Sequence, residues 1–353
     1  MINSQKNKKT VLFNIKKSMA EIILNRPDAI NSLNTEMIEN ITDCLNKALG
    51  NDQCRFILFY GFGNKGFCAG GDVKDLARKA NKKLFDEVTF FFKKEYALDL
   101  MIHNSPKPIL VIADGVTMGG GLGIAAGADI VLATERTRMA MPEARIGFFP
   151  DVGATGWLFS HCPKGYPEYL SLTGYEMRSN ECVRIGLATH FMMSQDMEKV
   201  IFALENYKPN EQFGREELSF EIQETISPYI YYDIPVNKNM DNWVAEYFAG
   251  KSDLNEIINP LEKCVNHQDL CDNVFDGIAA RSPTALVLTF KLLRHNEGRP
   301  IANVFSSELK AAEFMTRQHD YLEGIRARLI EKDDTPRWQP DKIEKVNLAG
   351  LKL

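Results

Sequence analysis

The segment MPEARIGFFPD, residues 141–151, sets two carboxylates, Glu143 and Asp151, around a mostly apolar run. An ionised carboxylate held near a carbonyl carbon can attack it or activate water against it. A blander reading exists for each acid. Glu143 follows Pro142, and proline then an acid suits the first turn of a helix, where the acid answers the positive end of the dipole. Asp151 stands between Pro150 and Val152-Gly153 and suits an N-cap or a turn. On this window alone the structural readings lead, because caps are commoner than catalytic acids.

Two glycine-rich segments change the balance. GFGNKGFCAGGD and VTMGGGLGIAAGADIVLAT each follow an apolar run suited to a buried strand. Both match dinucleotide fingerprints loosely: Gly61, Gly63 and Gly66 make GxGxxG, while Gly121, Gly123 and Ala126 make GxGxxA with Glu143 twenty residues on. The first match runs into another loop rather than a helix, and the second is separated from its strand. The other reading is that each loop presents one backbone N–H to the same oxygen, since glycine lets a ligand approach the backbone closely. Two such donors make an oxyanion hole, each worth on the order of 10² to 10³ in rate. Other schemes lack parts: there is no GxSxG elbow, no histidine stands in a metalloprotease motif, and Cys68 lies among glycines that need its backbone. Cys264, His267 and Cys271 would share a helical face but have no fourth ligand nearby, so ordinary side chains and no metal are expected.

The elements that must carry these residues are legible by pattern. Val11 to Leu24 reads as two short strands, followed by the loop NRPDAINSLN. Asn34 reads as the N-cap of a helix with Met37, Ile38, Ile41, Leu45 and Ala48 on one face and Gly50 at its end. RFILFYG and KPILVIADG are buried strands, and a long helix is expected from about Leu84 to His103. Strand, glycine loop and helix in repetition make the chain α/β. Beyond about residue 200 the pattern turns acidic and helical. Residues 1–200 are therefore expected to form the catalytic core and 201–353 a mainly helical cap or assembly region, with two or three helices from Ser282 to Ile330 and DTPRWQP ending the ordered part. The 353 residues, 44% hydrophobic, suffice for a sizeable core, and a formal net charge of -5 argues against a general nucleic-acid binder. MINSQKNKKT has lysines but no apolar h-region, no apolar run approaches a membrane span, and seven cysteines lack paired CxxC spacing. A cytoplasmic setting with reduced thiols is the expectation.

GFCAGGDVKDL and ADGVTMGGGLGIAAGADIVLATERTRMAMPEARIGFFPDVGATGWL resemble the two signature blocks of the crotonase (enoyl-CoA hydratase/isomerase) superfamily. The likeness extends through LNRPDAINSLN, FFKKEY, LTGYEMRSNECVRIGLATHF and HDYLEGIRARLIEKDDTPRWQP, and is closest to the hydroxyacyl-CoA hydrolases of that superfamily. It implies a spiral of repeated ββα units with a C-terminal helical region. It implies an oxyanion hole at the N–H groups of Gly71 and Gly120, and substrate contacts at Phe67, Cys68, Ala69, Asp72 and Glu95. No metal or separate cofactor is implied, CoA being part of the substrate, and relatives assemble as homo-oligomers through C-terminal helices. Hydratases of the superfamily carry a second acid where this chain has Gly123. Glycine moves no proton, so hydration is disfavoured and Asp151 becomes the second acid. The implied reaction is hydrolysis of a short 3-hydroxyacyl-CoA thioester, 3-hydroxyisobutyryl-CoA foremost, with Glu143 as nucleophile or general base and Asp151 on the acyl hydroxyl. The rivals are an enoyl-CoA hydratase or isomerase, an NAD-dependent oxidoreductase and a non-catalytic CoA- or RNA-binding protein.

Overall fold

The computed structural model describes residues 9–353, so most of the segment searched for a targeting signal lies outside the described residues. These residues form two compact units, each assembled from three stretches of chain: one from the residues up to Gly71 with Ala97–Met139 and Met177–Pro235, the other from Asp72–Tyr96, Ala140–Glu176 and Val236–Leu353.

The first unit is built on two sheets. The larger has seven strands that lie side by side in chain order: Val11–Lys16, Met19–Leu24, Phe56–Gly61, Ile109–Ala113, Ile130–Ala133, His190–Met192 and Ile230–Tyr231. Its five middle strands run parallel, with an antiparallel partner at each edge. Parallel strands covered on both faces read as unbroken apolar runs, as FILFYG and ILVIA do. The smaller sheet takes Gly66–Cys68, Val116–Met118, Arg138–Ala140 and Met177–Arg178, again in chain order. The chain thus lays one strand in the large sheet and the next in the small one, then repeats, which is the expected α/β spiral. Met19, Phe56, Leu58, Leu110, Ile112, Ile130 and Leu132 form the buried core with Val200, Leu204 and Ile222. The helix Thr35–Leu49 is capped by Asn34, whose Oδ1 accepts from Met37 N at 2.9 Å, and buries Met37, Ile38, Ile41, Leu45 and Ala48 as their spacing requires.

The second unit is helical apart from its loops, and its C-terminal part holds Lys238–Phe248, Asn255–Glu262, Gln268–Ala279, Pro283–Asn296, Ile301–Met315 and His319–Ile325. No described helix is long and apolar enough to cross a membrane. Two expectations are corrected here. Order does not end at DTPRWQP: Trp338 Nε1 donates to Ala280 O at 3.2 Å, Gln339 N to Asp320 Oδ1 at 2.7 Å, and Leu351 is buried. The thiols are not all reduced, since Cys264 and Cys271 are joined in a disulfide with their Cα atoms 6.2 Å apart. Cys264 lies just before the helix that carries Cys271, close enough to pair and leaving no ligand pair for a metal.

Candidate active site

The predicted site residues divide between the units: Phe67, Cys68, Ala69, Gly71 and Gly120 belong to the first, and Asp72, Glu95, Glu143 and Asp151 to the second.

In the first unit the loop NRPDAINSLN fixes the first glycine segment. Asn31, fully buried, accepts from Arg26 N at 2.8 Å and donates to Phe62 O at 3.2 Å and Gly66 O at 3.0 Å. Next to it Ala69 N donates to Ile30 O at 3.0 Å and Leu33 N to Gly70 O at 2.8 Å, in a short parallel pairing of Leu33 with Gly71. The Ala69 N–H is therefore spent, while that of Gly71 has no partner among the described residues. The second glycine segment opens the helix Gly120–Ala126, where Leu122 N and Gly123 N take Gly119 O and the Gly120 N–H is left over, as first-turn donors are. The two segments touch: a Cβ on Gly121 would stand 2.4 Å from Cys68 O. Only glycine permits that approach. Phe67 and Cys68 are buried as whole residues, backbone included, and thiol chemistry at Cys68 has no access. Neither dinucleotide reading survives, because Gly66 begins a strand instead of a helix and Gly121 and Gly123 lie inside one.

In the second unit Glu143 is the first residue of a single 3₁₀ turn, Glu143–Ile146, with Pro142 before it. The turn ends on Gly147 at φ 70°, where a Cβ would stand 2.0 Å from Asp320 O, so the turn packs backbone to backbone on the helix His319–Ile325. A short rigid turn is a firm mount for a carboxylate. Asp151 is no cap: the helix Ala154–His161 has Gly153 at its N-cap, and the Asp151 carboxylate instead accepts from the Tyr96 hydroxyl at 2.7 Å. Tyr96 follows Glu95 on the helix Phe85–His103, and Glu95 is 2% exposed, a buried acid and no solvent-facing one. Asp72 stands at the N-cap of the helix Val73–Asn81, and its side chain makes no cap bond there. Around the acids lies an aromatic wall: Phe92 stacks on Phe148 at 5.4 Å, Phe148 on Phe149 at 4.6 Å, and Tyr321 and Phe305 meet Phe148 and Tyr96 at 5.6 and 5.7 Å. Trp157 is buried with its indole N–H on Val152 O.

Glu143 and Asp151 are 8% and 5% exposed, and Glu143 Oε2 has no hydrogen-bond partner among the described residues. Burial, then the charge of Asp151, holds Glu143 well above the usual carboxylate range. Burial pushes Asp151 up to about 7, with the Tyr96 hydrogen bond pulling the other way. Both acids are raised, and Glu143 ionises less readily while Asp151 is charged. A stability test follows. A carboxyl raised in the folded chain makes folding bind protons, so stability falls as pH climbs from about 4 to 7. Asp151→Asn removes that cost, on the order of 2–4 kcal/mol, while still accepting from Tyr96. Its melting temperature should equal the parent's near pH 4 and exceed it by a few degrees at pH 8. Parallel melts at the two pH values check this; a variant less stable at pH 8 would contradict it.

Pattern singled out Glu143 and Asp151 and the resemblance added Glu95, Gly71 and Gly120, but neither pointed to Tyr96 or to the buried Glu308, which binds the turn after Asp151. No described cluster of histidine, cysteine and acids could hold a metal.

The chain matches the enoyl-CoA hydratase/isomerase family profile over residues 19–352. It is 34% identical over 331 residues to the 3-hydroxyisobutyryl-CoA hydrolase, mitochondrial, of Gallus gallus, covering 92% of this chain and 83% of that one. It is also 32% identical over 355 residues to the small ribosomal subunit protein mS47 of Neurospora crassa, covering 95% and 69%. Among solved structures it is similar to a carnitinyl-CoA dehydratase from Mycobacterium thermoresistibile, with a TM-score of 0.86, 29% identity and 98% and 95% of the two chains covered. Fold, motifs and relatives agree that the chain belongs to the enoyl-CoA hydratase/isomerase, or crotonase, family.

Proposed function

We propose that the chain is an acyl-CoA thioester hydrolase that acts on a short 3-hydroxyacyl group, 3-hydroxyisobutyryl-CoA foremost. The observation that carries the reading is the buried pair of Glu143 and Asp151 in an aromatic wall, with Gly123 where a hydratase of this family would hold its other acid. In the proposed reaction a Glu143 carboxylate oxygen bonds to the thioester carbonyl carbon, and the carbonyl oxygen takes the negative charge against the N–H groups of Gly71 and Gly120. The C–S bond then breaks, CoA leaves as the thiolate and takes up a proton, and water cleaves the resulting anhydride to regenerate Glu143. The general-base variant has Glu143 take the proton of the attacking water instead. Both require the two glycine donors and the acid to meet one carbonyl.

Asp151 receives the acyl 3-hydroxyl in this proposal, and a buried acid left without that partner penalises a plain acyl chain. Asp151→Asn should therefore lower kcat/KM for 3-hydroxyisobutyryl-CoA by about 10²-fold and for isobutyryl-CoA by about tenfold or less. Equal losses on the two thioesters would remove Asp151 from this role. Thiol release over a small panel of acyl-CoA thioesters tests both the reaction and the acyl chain.

The Neurospora relative, named as a ribosomal subunit protein, gives some footing to a second reading, that of a non-catalytic CoA- or RNA-binding protein. Such a chain would bind CoA or RNA and release no thiol from any thioester. A homo-oligomer formed through the C-terminal helices, and a cytoplasmic setting despite the mitochondrial names of relatives, belong to the same proposal; light scattering and cell fractionation test them.

A further inference from the structure

Glu308, on the helix Ile301–Met315, is fully buried and serves none of the roles above. Its carboxylate accepts from Gly153 N at 2.6 Å, from Thr155 N at 3.1 Å and from Thr155 Oγ1 at 2.5 Å. Gly153 is the N-cap of the helix Ala154–His161 and has no side chain to satisfy the first-turn donors, so Glu308 caps that helix from another one. A second layer points the same way. Asn296 Nδ2 donates to Thr155 Oγ1 at 2.8 Å, and Ser307 Oγ donates to Asn296 Oδ1 at 2.8 Å. Thr155 Oγ1 thus accepts from Asn296 and donates to Glu308, which ties the turn to two helices at once.

The turn so capped is the one that carries Asp151. Val152 sits at φ 53°, a left-handed conformation that a β-branched residue rarely adopts and that persists only when its surroundings enforce it. The enforcing bonds are Ala154 N on Asp151 O at 2.9 Å, Trp157 Nε1 on Val152 O at 3.0 Å and the Glu308 clamp on Gly153. We propose that Glu308 is a positioning residue for Asp151: by clamping Gly153 and Thr155 it holds the Asp151–Gly153 turn in its left-handed form and so keeps the Asp151 carboxylate on the Tyr96 hydroxyl. Burial, with the Asp151 charge, raises Glu308 to about 8 against the hydrogen bonds from Thr155 and Gly153. The groups that bear on Asp151 are the Tyr96 hydroxyl from Phe85–His103, Glu143 from its 3₁₀ turn, Glu308 from Ile301–Met315 and Tyr321 from His319–Ile325.

The proposal rests on the hydrolase reading only for its effect on turnover, so the test reads Asp151 directly. The Asp151 carboxyl titration is taken from pH-dependent infrared difference spectra, parent minus Asp151→Asn, and again with Glu308→Gln in both proteins. Losing the clamp should loosen the turn and with it the Tyr96 hydrogen bond that pulls Asp151 down, raising the Asp151 midpoint by about one pH unit, and kcat for a hydroxyacyl thioester should fall about tenfold with it. Thr155→Ala removes one donor and leaves Glu308 in place; it should move the midpoint the same way by less, and it decides the matter if Glu308→Gln does not fold. A midpoint unmoved in the variants that fold overturns the proposal, whatever happens to the melting temperature. A parent that releases no thiol from any thioester would sink the hydrolase reading and leave the titration result standing.

Discussion

Glu143→Gln is expected to lower kcat for thiol release by 10³-fold or more while KM and CoA binding stay within a few-fold of the parent. Glutamine fills the same space on the 3₁₀ turn, whose backbone lock through Gly147 does not depend on the side chain. What it lacks is a negative oxygen for the carbonyl carbon or for a water proton. Loss of activity through unfolding is separable, because removing a buried carboxyl held well above its usual range should raise stability at pH 8. Thiol release and melting curves of the same preparation give both readings. Single-turnover hydrolysis in ¹⁸O water then tests the anhydride route, which label entering Glu143 would mark. A variant that keeps a tenth of the parent's kcat would remove Glu143 from both the anhydride and the general-base route.

Gly121→Ala should be the most damaging substitution of one methyl group in the first unit. The added Cβ would meet Cys68 O at 2.4 Å and Cys68 Cβ at 2.6 Å, and a clash with backbone has no rotamer to relieve it. The two glycine segments must then separate, and with them the N–H groups of Gly71 and Gly120. A misplaced oxyanion donor costs on the order of 10² to 10³ in kcat, and the strain on the order of 1–3 kcal/mol in stability. Gly277→Ala is the control, since nothing lies within 4 Å of a Cβ there and the residue is helical; it should leave activity unchanged and stability equal or slightly higher. Steady-state kinetics on the two variants decides, and a Gly121→Ala enzyme as active as Gly277→Ala would detach the glycine loops from catalysis.

The parts of this account that sequence could reach are those whose cause is local. Asn34 caps its helix with a side chain three residues from the N–H it serves, and the stripe from Met37 to Ala48 is read from spacing alone. The glycine runs are legible because close backbone approach permits no other residue, although excluding the dinucleotide turns needed the strand at Gly66 and the helix at Gly120. Asp151 was misread as a possible cap for a reason that lies elsewhere in the chain. Its helix is capped by Glu308, 155 residues from Gly153, which frees Asp151 for Tyr96, itself 55 residues away. In SSELKAAEF, Glu308 looks like any acid on an amphipathic helix, and in FFKKEY nothing distinguishes Tyr96 from a core aromatic. The pairing of Cys264 with Cys271 was likewise hidden, because spacing cannot tell two neighbouring thiols from a bond.

The central claim is that this crotonase-family chain cleaves a thioester and does not hydrate a double bond. One assay run on two substrates addresses it: free thiol released from 3-hydroxyisobutyryl-CoA, alongside loss of enoyl absorbance from crotonyl-CoA, with the same enzyme in the same buffer. The account predicts rapid thiol release that Glu143→Gln abolishes, and negligible loss of enoyl absorbance. Loss of enoyl absorbance without thiol release would contradict it.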